Sequence, residues 1–177
     1  ALSNGPTVAV YLITPQQWLA HDDAPCKVDF WLRNLACLRE QLGKLNIPLL
    51  IRSCDDWQQA PATLLQLCRQ IGAGAVHCNA EYGIHETRRD QACSSLLEPQ
   101  GIAFTAHFDQ LLLKPGSVLT QSGNYFQVFS QFRKVCYQRL HLSLPTCLPY
   151  PAAQAPLQMT SDAIPTAVSG FAATDAS

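Results

Sequence analysis

The sequence predicts an α/β domain built on a parallel, doubly wound sheet with helices on both faces. Three observations carry the prediction. Short apolar, β-branched runs recur along the chain, as in Thr7–Thr14 (TVAVYLIT). They read as strands buried on both faces. Between them lie segments whose apolar residues fall three and four apart, which is the period of one helix face. Strand and helix alternate in strict order, and that alternation implies βαβ units.

Taken in order, Thr7–Thr14 is the first strand and ends at Pro15. Trp31, Leu35, Leu38, Leu42 and Leu45 then mark one helical face, which stops near Gly43–Asn46. Ile47–Cys54 (IPLLIRSC) is the second strand, and Ala62–Ile71 a helix with Leu64, Leu65, Cys68 and Ile71 inward. Ala75–Asn79 is the third strand, followed by a helix over Glu86–Leu97 that Pro99-Gln100-Gly101 terminates. Ile102–Phe108 is the fourth strand. The last helix spans Tyr125–Leu140, with Phe129, Phe132, Cys136 and Leu140 on one face.

The domain is expected to occupy residues 1–144. Prolines at 145, 149, 151, 156 and 165, and the absence of Lys, Arg, Glu and His from Pro151 to Ser177, give residues 145–177 the composition of a linker. Such a segment has little material for a core of its own.

Composition narrows the function classes. The chain has 177 residues, is 47% hydrophobic and carries a net charge of −1. That is enough apolar material for one core. It lacks the basic excess of a free-standing nucleic-acid binder, so any DNA contact needs cations from elsewhere. None of the eight cysteines forms a Cys-x-x-Cys pair, which removes the main support for zinc or thioredoxin-type chemistry. No signal peptide opens the sequence and no apolar run reaches membrane-spanning length, so a reduced, cytoplasmic protein without membrane or metal partners is expected.

The familiar catalytic motifs fail. Gly72-Ala-Gly74 lacks a third glycine and precedes a strand, where a dinucleotide fingerprint follows one. It reads as a helix stop and turn. His85-Glu86 opens like a zinc-protease helix, but position 89 is Arg. There is no phosphate loop and no nucleophile elbow. No catalytic residue is assigned.

Two segments carry a resemblance. Tyr11-Leu-Ile-Thr-Pro-Gln-Gln-Trp18-Leu-Ala-His21 is a strand followed by a loop. Asn79-Ala-Glu81-Tyr82-Gly-Ile-His85-Glu86-Thr-Arg88-Arg89-Asp90 is a strand end entering a helix. Both resemble the N-terminal, Rossmann-like antenna domain of bacterial cyclobutane-dimer photolyases, in the photolyase/cryptochrome family. Ile47–Leu50, Leu112–Pro115 and Gly123–Phe129 extend the likeness over roughly residues 1–150 in unbroken order. Phe129-Ser-Gln-Phe132 stands where the family usually reads Phe-Thr-Pro-Phe.

The resemblance implies a domain that holds a light-harvesting cofactor of the methenyltetrahydrofolate type. That cofactor would pass excitation to FAD in a C-terminal helical domain, which acts on damaged DNA. Neither that domain nor its flavin lies within this sequence, so the chain itself is expected to be non-catalytic. Glu86 matches the acidic residue that hydrogen-bonds the pterin ring, and His21 a histidine beside the folate. His85 stands where folate-binding members have asparagine. It reads equally well as a capping or solvent-facing residue, and Arg88, Arg89 and Asp90 as a solvated or ion-paired set. Trp18 and Trp31 read as core or pocket wall. Two other readings stand beside this one. The chain could come from a cryptochrome-type photoreceptor, or be a stand-alone nucleotide-binding or electron-transfer-flavoprotein-like module.

In related folds the strand order is 3-2-1-4-5, with strand 1 central. The sequence supplies the equivalents of strands 2 to 5, because the family's opening strand and loop precede the matching residues. Thr7–Thr14 and Ala75–Asn79 would flank that central position. The favoured expectation is a strand preceding Ala1. The alternatives are the tail segment Ala163–Ala173, a second copy, or closure of the two flanking strands on each other.

Overall fold

A computed structural model describes the chain over residues 1–172. The elements are β1 (Ala9–Ile13), α1 (Pro15–Ala20), α2 (Pro25–Gly43), β2 (Leu49–Ser53), α3 (Ala60–Ile71), β3 (Ala75–Asn79), α4 (Ile84–Leu97), β4 (Ala103–His107) and α5 (Phe129–Leu142). β1 pairs with β2 and β3 with β4, both in parallel register. Val10 lies opposite Leu50, and Val76 opposite Phe104.

Side-chain alternation assigns the faces. Tyr11 and Ile13 of β1 point into a core with Val28, Leu32 and Leu35 of α2 and Leu49 of β2. Leu12 points the opposite way, against a second core of Leu64 and Cys68 from α3, Cys93 and Leu97 from α4, and Ile102. Val76 and Phe104 pack on that second core, so α3 and α4 cover one face of both strand pairs. The two cores thus lie on opposite faces of β1, as a doubly wound sheet requires. Gly72 ends α3 in the left-handed region, at φ 69°, where glycine carries no Cβ penalty.

The four strands form two pairs. Ala9 N–H bonds Pro48 O and Cys54 N–H bonds Ile13 O, so the backbone groups of Val10 and Leu12 point away from β2. Ala103 N–H bonds Gly74 O and Ala80 N–H bonds His107 O, which turns those of Ala75, His77 and Asn79 away from β4. The two free edges face a shared cleft of about 830 Å³. Among the described residues no strand lies between them, and β1 and β3 do not pair with each other. Ala163–Ala173 ends outside the described residues. Its described part runs elsewhere, with Ile164, Val168 and Phe171 against the α2-side core.

Several details depart from the sequence pattern. Pro15–Ala20 is a one-and-a-half-turn helix where a loop is expected, because Pro15 supplies the pre-set φ of a first helical position. α2 begins at Pro25 for the same reason, and Val28, Leu32 and Leu35 are its buried residues while Leu38 is exposed. α5 buries none of its side chains, and Phe129 is 70% exposed. The face of β3 and β4 opposite the second core offers only Ala75, His77, Asn79, Ala103, Thr105 and His107, too little apolar area to seat an aromatic helix.

The proline-rich tail has no core of its own but is attached to the domain's. Gln154 accepts from Thr7 N–H and donates to Thr7 O and Asn46 O. Ser161 Oγ accepts from Leu49 N–H, and Asp162 N–H donates to Leu49 O. Phe171 meets the Trp18 ring edge-on, at 6.0 Å between centroids. All eight cysteines are free thiols, and no helix among the described residues is long and apolar enough to cross a membrane.

Two expectations follow from this packing. Phe171→Ala should lower unfolding free energy by about 3 kcal/mol, as truncation of a buried Phe does, seen as a lower urea midpoint. An unchanged midpoint would make the tail a passive tether. The second concerns Cys93, whose thiol is pushed from 9.0 up to about 11, chiefly by burial and then by Asp90. Its folded value lies above the unfolded one, so the stabilisation is complete below pH 9 and declines as pH rises through 11. The amount is on the order of 2 kcal/mol. Cys93→Ala should flatten that part of the stability–pH curve measured by denaturant titration.

Candidate functional site

The cleft opens beyond the carboxyl ends of β1, β2 and β3, where ligands bind in doubly wound sheets. Three connections reach it. The β1 connection supplies α1 and its C-cap His21. Gln16 and Gln17 N–H both donate to Asp55 O, which ties the start of α1 to the end of β2. The β2 connection supplies Trp57. The β3 connection supplies Glu81 and, through the start of α4, Glu86 and Arg89, while His85 stands outside the lining, beside His21.

The structure brings the three sequence-predicted residues together. The His21 and His85 rings stand edge to face, 5.4 Å apart. Glu86, the next residue, lines the cleft. His85 is exposed at the rim and makes no capping bond. Glu86 occupies the first turn of α4, where the helix dipole favours a carboxylate. It has no hydrogen bond or ion pair among the described residues, so its acceptor capacity is free. Its carboxylate folds over Gly83: a Cβ at that position would stand 2.0 Å from Oε2. Gly83 therefore decides where the carboxylate sits.

Other groups complete the mouth. Trp57 lies 5.9 Å from the His21 ring and 5.0 Å beneath the Arg89 guanidinium. Arg89 binds Glu81 at 2.9 Å and Asp90 at 2.8 Å. Burial opposes its charge, but the hydrogen bonds to Asp90 and Glu81 outweigh that and raise it above its ordinary value. Arg89 is thus committed to its acids, and the mouth has no spare buried cation. Trp18 and Trp31 form the floor, 4.9 Å apart, with Lys27 over Trp31. The sequence reading missed Trp57, Gln17 and the Arg89–Trp57 stack. Trp57 had a usable signal: it lies in the strand-to-helix connection after β2, on the ligand-binding side of such sheets.

The residue types suit a planar, polar ring. A carboxylate accepts two N–H donors with charge assistance, and indole and imidazole faces supply stacking area. Among the described residues no group of three or more His, Cys, Asp or Glu side chains is placed to hold a metal ion.

Comparison with known proteins identifies the family and the fold. The chain matches the DNA photolyase family over residues 1–153. It is 40% identical over 135 residues to a deoxyribodipyrimidine photo-lyase of Vibrio cholerae, covering 76% of this chain and 29% of that protein. It is 32% identical over 144 residues to the Salmonella typhimurium deoxyribodipyrimidine photo-lyase, covering 81% and 30%. The chain thus spans less than a third of the length of these relatives. In fold it is similar to a cryptochrome of Synechocystis, with TM-score 0.67 at 20% identity over 92% of this chain and 35% of that one. A bacterial class III photolyase from Agrobacterium tumefaciens gives TM-score 0.57 at 23% identity, over 85% and 32%. On the extent of the family match and the identity to the Vibrio protein, this chain belongs to the DNA photolyase family.

Proposed function

We propose that this chain is the light-harvesting-cofactor domain of a deoxyribodipyrimidine photo-lyase, a light-driven enzyme that repairs pyrimidine dimers in DNA. The observation that carries the reading is the unpaired Glu86 carboxylate lining an aromatic-walled cleft beside His21. A folate antenna held there would supply near-ultraviolet absorption and excitation transfer to a reduced flavin. Glu86 would accept the ring's N–H donors, His21 and Trp57 would wall the ring, and His85 would close the rim in place of an amide. Flavin and DNA belong to a helical domain outside these residues. The chain's own work is binding and orientation, because the photochemistry resides in the cofactors.

The isolated chain is expected to hold the folate weakly or not at all. One side of the mouth is open to water, and an exposed hydrogen bond contributes only about 0.5–1.5 kcal/mol. Illuminated with added reduced FAD, it should reverse thymine dimers no faster than free flavin does. Repair above that background, assayed by dimer absorbance, would place a catalytic centre here.

In the protein that carries both domains, Glu86→Ala should remove the near-ultraviolet antenna band while leaving flavin-driven repair intact. Gly83→Ala should weaken the same band by displacing the carboxylate, with stability within about 0.5 kcal/mol of the parent because its backbone is ordinary for alanine. An unchanged absorption spectrum in both variants would overturn the Glu86 assignment.

A further inference from the structure

We propose that Gln17 is a positioning residue that fixes His21 as its Nδ1–H tautomer, so that the mouth takes heteroaromatic rings with an N–H donor beside an acceptor, as in a pterin's lactam edge. Among the described residues His21 makes one side-chain hydrogen bond. Gln17 Nε2 lies 2.7 Å from His21 Nε2. An amide nitrogen only donates, so His21 Nε2 accepts, and in the neutral ring the proton must sit on Nδ1. Nδ1 has no partner among the described residues, so its N–H remains available to a ligand.

Gln17 is well placed to hold this arrangement. Its backbone N–H is bonded to Asp55 O at 3.2 Å, and His21 lies one helical turn on, its own N–H bonded to Gln17 O at 3.2 Å. Trp57 and His85 border the ring on two further sides, at 5.9 and 5.4 Å. The ring therefore has a fixed setting and a fixed polarity.

Polarity selects the ligand. Glu86 offers only acceptors when ionised, and His21 in this tautomer offers only a donor at its free nitrogen. A ring edge that answers both carries an N–H donor next to an acceptor. The lactam edge of a pterin, a ring N–H beside a C=O, is one such edge. The choice of ligand rests on the antenna reading above, whereas the tautomer does not.

The test is nitrogen-15 NMR of the His21 imidazole in the 177-residue chain, with the ring neutral. Parent protein should show a protonated Nδ1 and a bare Nε2. Gln17→Glu, nearly isosteric but able only to accept, should pull the proton to Nε2. Gln17→Leu should relax the tautomer ratio by roughly two- to tenfold, the bias of one exposed hydrogen bond. An amide-proton spectrum overlaying the parent's confirms the fold of each variant. A parent ring protonated at Nε2, or a tautomer indifferent to both substitutions, overturns the proposal. In the protein that carries both domains, adding 5,10-methenyltetrahydrofolate should then shift the His21 Nδ1–H signal in the parent and not in Gln17→Glu. There, an antenna band that forms without moving that signal upholds the positioning role and overturns the ligand choice, whereas absence of the band in the parent overturns the antenna reading.

Discussion

A parallel strand inside a sheet satisfies its backbone groups only when both edges find partners. In this chain β1 and β3 each have one partnered edge, and the free edges face one another across the cleft. Cohesion between the two strand pairs therefore falls to side chains. Leu12 crosses from β1 into the second core, and α3 packs against α4 beneath it. Leu97, fully enclosed at 0% exposure, anchors that contact. The site depends on this side-chain bridge, because its histidines come from either side of it: His21 caps the helix after β1, and His85 lies in the first turn of the helix after β3.

The same geometry explains why the site is wide and wet. Strand carboxyl ends collect three connections at one mouth, and the cleft beneath leaves room for a ring to enter edge first. The charged groups are largely spent on one another. Arg89 is held by Glu81 and Asp90, and Lys27 by Asp23. What remains free is a carboxylate, one nitrogen of His21, the exposed His85 ring and indole surface, a set suited to recognising a neutral polar ring and poorly suited to phosphate.

Much of this was legible in the sequence. Ala75–Asn79 matches its strand end to end, a short segment that starts after the turn residue Gly74 and precedes a helical pattern. Gly72 stops α3 where the pattern places a turn. Glu86, His85 and His21 were reached through family likeness, because a single acid in a first helical turn is chemically unremarkable. Other features were hidden for physical reasons. Six-residue α1 is too short to display a period. The Trp57–Arg89 stack joins residues that local pattern cannot relate. Phe129 and Phe132 form an apolar helical stripe that meets no matching surface among the described residues, because β3 and β4 turn a polar face outward. The tail's composition concealed its attachment: Gln154, Ser161 and Asp162 act through hydrogen bonds to specific backbone groups, and such bonds leave no hydrophobic signature.

That attachment bears on how the protein behaves in a crowded solution. The outer edge of β2 is a ready template for another chain's strand. Here Ser161 and Asp162 occupy Leu49 N–H and C=O, and the Asp162 carboxylate also takes Ile51 N–H and the Arg52 guanidinium. A second molecule approaching that edge meets an occupied ladder and a charged pair in place of free amides. The proline-rich segment thus acts as an insulating strip, and it makes the sheet self-limiting on the side away from the cleft.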